Sequence, residues 1–335
     1  MVLVTGATGL VGSYLTKYLL KANKQVRAIK RPSSDLSLLG DYVAQIEWVD
    51  GDVLDIVSLE DAMQGVEQVY HAAAFISFRP SQRQQMLKIN AEGTANVVNV
   101  ALQQGIKKLL YFSSVTALGT SKHGEILDEK SEVLDADYDS SYGLSKYLGE
   151  IEVWRGMLEG LKAVIVNPSL ILGAGRWSDS SLKLFSQVDH GIDFYPVGSN
   201  GYVDVRDVAQ VAIRLMDSDI INERFILNAE NLSYREVIGQ IADNFKVKKP
   251  TKALSGAITT LAVLAERTRS LFSNTEPALN SEIAQLITER HTYSNEKIKQ
   301  RFAYQFIPIE QSLRECCQAY MESKKAGQAY ATLPL

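Results

Sequence analysis

The segment Val2-Leu3-Val4-Thr5-Gly6-Ala7-Thr8-Gly9-Leu10-Val11-Gly12 decides the fold. A short aliphatic run leads into a turn whose glycines are spaced GxxGxxG. A tight turn needs backbone angles open to glycine. A pyrophosphate needs main-chain N–H groups at a helix N-terminus, where the helix dipole favours anions. The last glycine lets the helix pack closely on the strand. The spacing alone is weak, but its place between a strand and a helix inside a βαβ unit reads as a dinucleotide-binding turn. Gly6, Thr8, Gly9, Leu10, Val11 and Gly12 are the expected contacts.

Outward from this turn, short apolar runs alternate with helical stretches. Strands are expected at Val2–Thr5, Gln25–Lys30, Gln45–Val49, Gln68–His71, Lys108–Ser113 and Lys162–Asn167. Each is short and apolar, as strands covered on both faces are. Helical patterns fill Leu10–Ala22, Ser58–Gln64, Ser81–Gln104 and Tyr138–Glu159. This order implies an α/β fold with a doubly wound parallel sheet, a Rossmann architecture. Residues 1–167 would form the nucleotide-binding domain, joined by a returning strand near 223–228. A smaller, mostly helical C-terminal substrate lobe would comprise 168–222 and 229–330, and Gln328–Leu335 would be a loosely held tail.

Composition narrows the class. The chain has 335 residues, 46% apolar and 22% charged, with a net charge of −4. That is an ordinary globular balance, with no basic face for nucleic acid. Cys316 and Cys317 are adjacent, which disfavours a disulfide between them, and they read as reduced thiols on a late helix. His71, His123, His190 and His291 have no metal-ligand spacing, and no metal site is expected. Met1 runs into Val2-Leu3-Val4 with no basic n-region or cleavage site, so no signal peptide is expected, and the apolar stretch Leu254–Ala265 is shorter than the ~20 residues of a spanning helix. The expected location is cytoplasmic, and the expected partner is a small-molecule substrate.

The end of the second strand reads Arg27-Ala28-Ile29-Lys30-Arg31-Pro32-Ser33-Ser34, with no carboxylate before Asp35. A chain that prefers NAD usually carries an acidic residue near here to bind the ribose 2′-hydroxyl. Lys30 and Arg31 suit a 2′-phosphate instead, so NADP(H) is favoured over NAD(H). Asp52 and Val53, after the third strand, are placed to border the adenine.

Tyr142-Gly-Leu-Ser-Lys146 puts a phenol and an ammonium on one helix face. A phenol titrates near 10, and a neighbouring cation lowers that value, so Tyr142 can exchange a proton. The same spacing recurs at Tyr293/Lys297 and Tyr320/Lys324, which are assigned to ordinary surfaces of C-terminal helices. Tyr142 differs because it follows a strand end, where doubly wound sheets place ligands. Ser114, or its neighbour Ser113, ends that strand; side-chain alternation allows only one to enter the cleft. Asn90 sits within a helix, where it is either a solvated residue or a polar group holding a water near Lys146.

With these motifs in view, the chain resembles the extended short-chain dehydrogenases/reductases, the NAD-dependent epimerase/dehydratase family. TGATGLVG (5–12), GDVLD (51–55), YHAAA (70–74), NAEGT (90–94), YFSSVTALG (111–119), YGLSK (142–146), NPS (167–169) and YVDVRDVA (202–209) carry the resemblance. It implies a catalytic set of Ser114, Tyr142 and Lys146 with Asn90 as fourth member. It also implies that His71, Ala72 and Ala73 line the cofactor, that Lys146 holds the nicotinamide ribose, and that Pro168 borders the nicotinamide. VRAIKR is similar to the dihydroflavonol-reductase branch, with Arg31 at its NADP-binding position and Pro32 where an acidic residue is usual. Phe75, Phe78 and Leu118 would make the cleft apolar, whereas Arg176, Lys183 and Arg206 would suit a diphosphate. The implied activity is carbonyl reduction or alcohol oxidation. The alternatives are a nucleoside-diphosphate-sugar epimerase or dehydratase with bound NAD, and a non-catalytic NAD(P)-binding regulator. Relatives of this kind often pair through helices flanking the sheet, which allows a homodimer.

Overall fold

The computed structural model describes residues 1–119, 125–131, 140–255 and 281–335. The first strands are β1 (Val2–Thr5), β2 (Val26–Lys30), β3 (Glu47–Asp50), β4 (Gln68–His71) and β5 (Lys108–Phe112). They are followed by β6 (Ile126–Leu127), β7 (Ala163–Pro168), β8 (Leu170–Leu172), β9 (Phe194–Pro196), β10 (Ser199–Asp204) and β11 (Glu223–Leu227). The last three are β12 (Glu230–Ser233), β13 (Lys252–Leu254) and β14 (Thr292–Tyr293). Seven of them form one sheet in the order β11-β7-β5-β4-β1-β2-β3. Every pairing in it is parallel. The chain runs outward from β1 through β2 to β3, then restarts on the other side at β4. That reversal leaves a crevice at the carboxyl ends of β1 and β4.

Helices cover both faces: α1 (Leu10–Lys21), α2 (Ile56–Met63), α3 (Arg83–Leu87), α4 (Gly93–Gln103), α5 (Ser141–Leu158), α6 (Lys183–Asp189), α7 (Val205–Asp217) and α8 (Tyr234–Phe245). Strand alternation sorts the core. Val2 and Val4 face the layer containing α1 and α7, while Leu3 faces the layer of α2, α4 and α5. Burial of these valine- and leucine-rich faces is the main stabilising force of the domain.

Several sequence expectations change. The helix expected over Ser81–Gln104 is broken into α3 and α4 by a widened π-turn at Lys88–Glu92, and Asn90 sits in that turn. Helix α7 lies in a stretch the sequence assigned to the lobe. It packs on α1 instead, because Val205, Val208, Ala209, Val211, Ala212 and Leu215 form an apolar stripe that covers the sheet. The tail is held. Ala331 N donates to Gly175 O and Leu333 N to the Tyr14 hydroxyl, and Leu333 is buried in the main core. Tyr293 belongs to a strand and is buried, and Tyr320 is packed against Trp177 and Phe245. Neither is an exposed helix residue. Residues 256–265 of the apolar stretch and 138–139 of the expected catalytic helix lie outside the described residues, as does His123. Cys316 and Cys317 are free and buried on the helix Ile309–Lys325. Among the described residues no helix is long and apolar enough to cross a membrane, and no His, Cys, Asp or Glu cluster could hold a metal ion.

The glycine turn is built by close approach. Gly6 adopts φ +72°, and a β-carbon there would lie 2.6 Å from the Ala72 carbonyl carbon. A β-carbon on Gly12 would lie 2.1 Å from the Gly6 carbonyl oxygen. Both obstacles are backbone, so neither can swing aside. Gly12→Ala is therefore expected to cost about 2–3 kcal/mol by overpacking. A melting temperature within about 1 °C of wild type would contradict this packing.

Candidate active site

The turn offers an anion a bare helix end. Gly9 caps α1 without a side chain, and no acidic residue occupies the first turn. The amides opening a helix have no intrahelical partner, so those of Leu10, Val11 and Gly12 are available to phosphate. Gly9 N is already bonded to Gly6 O at 3.0 Å, which closes the turn itself. These features fit a dinucleotide phosphate.

At the ends of β2 and β3 the expected contacts divide. Lys30 Nζ is paired with Asp50 at 2.5 Å. Arg31 is exposed and its guanidinium has no ion pair among the described residues, while its amide bonds Ser34 Oγ at 3.0 Å. Asp52 turns one carboxylate oxygen back to Leu54 N at 3.0 Å, leaving the other for a ligand. Val53 is buried against Gly93.

At the end of β4, Ala73 N donates to Thr5 Oγ1 at 3.2 Å, so Ala72 and Ala73 stand directly beside the turn. His71 is turned inward. Its ring nitrogens bond Thr5 Oγ1 at 2.7 Å and Thr94 Oγ1 at 3.0 Å, and its ring stacks on Tyr111. Burial and the Lys146 charge lower its pKa to about 3, so it stays neutral. A role for His71 at the cofactor is thus confined to its backbone. Pro168 is buried at the end of β7, opposite Leu227 of β11.

The proton-bearing side chains converge from β5 and α5. Ser114 follows β5 and caps the next turn; its Oγ accepts from Thr116 N at 3.2 Å and from Thr116 Oγ1 at 2.9 Å. With both acceptor positions used, the Ser114 proton is the one that reaches the Tyr142 oxygen. The Tyr142 phenol bonds Ser114 and is pushed up to about 12, burial outweighing that bond. Ser113, by contrast, faces the buried Glu150 carboxylate on the other side. Ser114 is the one of the pair that bonds Tyr142, and the two face opposite sides, as side-chain alternation requires.

Helix α5 is fixed at its start. Ser140 Oγ accepts from Gly143 N at 2.9 Å, and the Glu282 carboxylate accepts from Ser141 N at 2.6 Å. Phe78 stands edge-on to Tyr142 at 6.4 Å between ring centroids. One turn after Tyr142, Lys146 is 2% exposed. Its Nζ donates to Phe112 O at 2.7 Å and lies 4.8 Å from the Tyr111 ring centre. Burial lowers its pKa to about 7, against the pull of Glu150. Its contacts here are therefore with Phe112 and Tyr111, whereas the Tyr142 hydroxyl is held by Ser114.

Asn90 is 1% exposed, so it is not a solvated residue. Its Oδ1 accepts from Phe75 N at 2.8 Å, and its Nδ2 donates to Phe75 O and Ser145 Oγ, both at 2.9 Å. It clamps the loop after β4 to α5, and its side chain does not reach Lys146. Leu118 packs into a small core with Val115, Leu127, Ile226 and Tyr293. Arg206 is spent internally, pairing with Asp204 and with Glu315 at 2.8 and 2.7 Å. Arg176 bonds Thr8 O and Asp35 beside the glycine turn. Lys183 is exposed at the start of α6.

Sequence reasoning missed Thr116, Glu150, Asn167 and Glu282. Asn167 Nδ2 donates to Glu150 Oε1 at 2.6 Å and to Ser114 O at 2.9 Å, tying α5 to the serine segment. The i, i+2 spacing of Ser114 and Thr116 is a readable local motif. The other three meet across elements far apart in sequence.

The profile of the family described as NAD dependent epimerase/dehydratase matches residues 2–227. Sterol demethylase protein B of Methylococcus capsulatus is 34% identical over 241 residues, covering 71% of this chain and 71% of that protein. Cinnamoyl-CoA reductase 1 of Petunia hybrida is 25% identical over 337 residues, covering 96% of this chain and 92% of that protein. The crystal structure of gox2253 has a TM-score of 0.84 at 28% identity, covering 98% of this chain and 99% of that one.

Two outcomes follow from the geometry. Asn90→Ala leaves the Phe75 amide and carbonyl unpaired, at a cost of about 2–4 kcal/mol. Hydrogen exchange at the Phe75 amide should accelerate in that variant, and unchanged protection would contradict the clamp. Lys146 titrates near 7 when folded, against 10.5 when unperturbed. The unfolded chain then binds the extra proton between those values, so stability rises with pH across that window. Lys146→Met removes the penalty. Its gain in melting temperature should be largest at pH 7 and below and should shrink toward pH 10; a gain independent of pH would contradict it.

Proposed function

The chain belongs to the NAD-dependent epimerase/dehydratase family, and from that premise we propose that it is an NADP(H)-dependent oxidoreductase acting on a carbonyl or alcohol of a small apolar substrate. The observation that carries this reading is the bond between Tyr142 and Ser114 at the carboxyl end of β5, with Lys146 one turn away on α5. The preference for NADP(H) is supported by Arg31, which has no ion pair among the described residues, and by the lack of a carboxylate before Asp35. Phe78 beside Tyr142 supports an apolar substrate. So do the two relatives, which are named for a sterol and for a cinnamoyl thioester. The burial of Arg206 between Asp204 and Glu315 removes one cation that a sugar diphosphate would need.

The coenzyme, when bound, supplies or accepts the hydride. When a substrate oxygen enters, the Ser114 proton turns from the Tyr142 oxygen to it and draws electron density from the carbon. Tyr142, protonated at neutral pH, gives its proton to that oxygen as the alcohol forms. In the reverse direction the phenolate takes the proton back. Lys146 provides a charge that favours the phenolate and is itself held by Phe112 O. Ser140, Gly143 and Glu282 keep the start of α5 in register with Ser114, so the two hydroxyls meet one point.

NADPH oxidation measured with a panel of apolar aldehydes and ketones tests the function. Tyr142→Phe should lower kcat by about 10²–10⁴ on any active compound, while the NADPH dissociation constant stays within about threefold (~0.65 kcal/mol). Full turnover by that variant would remove Tyr142 from the chemistry.

A further inference from the structure

Arg176 joins the two loops that border the adenosine end of the coenzyme groove. Its Nη2 donates to Thr8 O in the glycine turn at 3.0 Å and to Asp35 O at 2.8 Å, and its Nε donates to Asp35 Oδ2 at 2.6 Å. Asp35 lies four residues beyond Arg31 in the loop after β2. The segment that carries Arg176 runs along the start of α1, since a β-carbon on Gly175 would lie 2.9 Å from Leu10 Cδ1. It is also held from outside. Arg176 bridges Tyr330 of the C-terminal tail, Trp177 N donates to Ala329 O, and Trp177 Nε1 bonds Ser323 Oγ at 2.8 Å. The guanidinium thus sits on a braced backbone.

Its partner is the looser of the two. The Asp35 side chain is 56% exposed and that of Arg176 21%. Arg176 holds the Asp35 carboxyl well below its usual range, at about 2, so the pair is ionised at neutral pH. A second carboxylate, Asp179, stands 3.7 Å from Nη1. An arginine fork accepts a phosphate in the same planar geometry as a carboxylate. Lys30 is likewise paired, with Asp50, and Arg31 of this loop has no ion pair among the described residues.

We propose that Arg176 is a second binding residue for the 2′-phosphate of NADP(H), and that Asp35 occupies its guanidinium until the phosphate displaces it. The proposal rests on the NADP(H) reading above. NADH, lacking the phosphate, leaves the Arg176–Asp35 pair in place and is indifferent to it.

Dissociation constants for NADPH and NADH, read from nicotinamide fluorescence of the purified protein, test this in wild type, Arg176→Ala and Asp35→Asn. Arg176→Ala should weaken NADPH about tenfold and NADH less than about twofold, as loss of one charge-assisted pair implies. Asp35→Asn should tighten NADPH about threefold or more and leave NADH unchanged, because the competing carboxylate is gone. Equal losses for both coenzymes in Arg176→Ala, in a wild type that prefers NADPH, would overturn the proposal alone. So would an Asp35→Asn variant that binds NADPH more weakly, since the pair would then only brace the loop. A wild type that binds NADH as tightly as NADPH would overturn the NADP(H) reading and this proposal with it.

Discussion

Between the Gly6 carbonyl and the α-carbon of Gly12 there is no space for a methyl group, because a β-carbon there would sit 2.1 Å from the oxygen. Strand β1 and helix α1 can meet this closely only through glycine. The contact aims the first amides of α1 at the carboxyl end of the sheet, with no side-chain cap and no acidic residue in the way. It also presses the turn onto Ala72 and Ala73, so the end of β4 becomes a wall of the same groove. Backbone packing thereby prepares a place that fits a dinucleotide phosphate. Local charge does this work in a chain whose net charge is −4.

From that anchor the groove is lined by elements that buried polar bonds hold to one another. Asn90 fastens the loop after β4, Glu150 and Asn167 tie α5 to the serine segment, and Thr116 aims the Ser114 hydroxyl. Two groups in this region are poised by burial in opposite senses: the Tyr142 phenol is kept protonated and the Lys146 ammonium is brought near neutrality. A protonated phenol beside a serine hydroxyl is an acid ready to meet an oxygen that is gaining negative charge. Buried bonds of this kind cost little to keep and much to break, since each broken one strands a polar group away from water.

Much of this was legible in the sequence because its signals are local. The glycine spacing, the apolar strands and Tyr142–Lys146 each lie within a few residues, and the fold class follows from their order. The seven-stranded parallel sheet, with β11 beside β7, has the doubly wound form that order implies. Asn90 illustrates the limit. Its helical setting left solvation open, whereas the partners that bury it, Phe75 and Ser145, are 15 and 55 residues away. Arg206 looked like a free cation because its pairing with Glu315 crosses from α7 to a late helix. The family resemblance placed His71 at the cofactor, yet strand alternation sends its ring inward to Thr5 and Thr94. The tail looked loose because its partners, Gly175 and Tyr14, are far away in sequence.

In the proposed reaction one phenol, silent in the free protein, becomes a titratable acid and base once a nicotinamide coenzyme lies in the groove. Tyrosine labelled with carbon-13 at the ring carbon bearing the hydroxyl permits Tyr142 to be titrated directly by NMR, with Tyr142→Phe identifying its signal. Ionisation near pH 12 is expected in the free protein. A fall of at least about 2 pH units is expected when NADP⁺ is bound, because the coenzyme would add positive charge near the phenol. A Tyr142 resonance that ionises at the same pH with and without the coenzyme would contradict it.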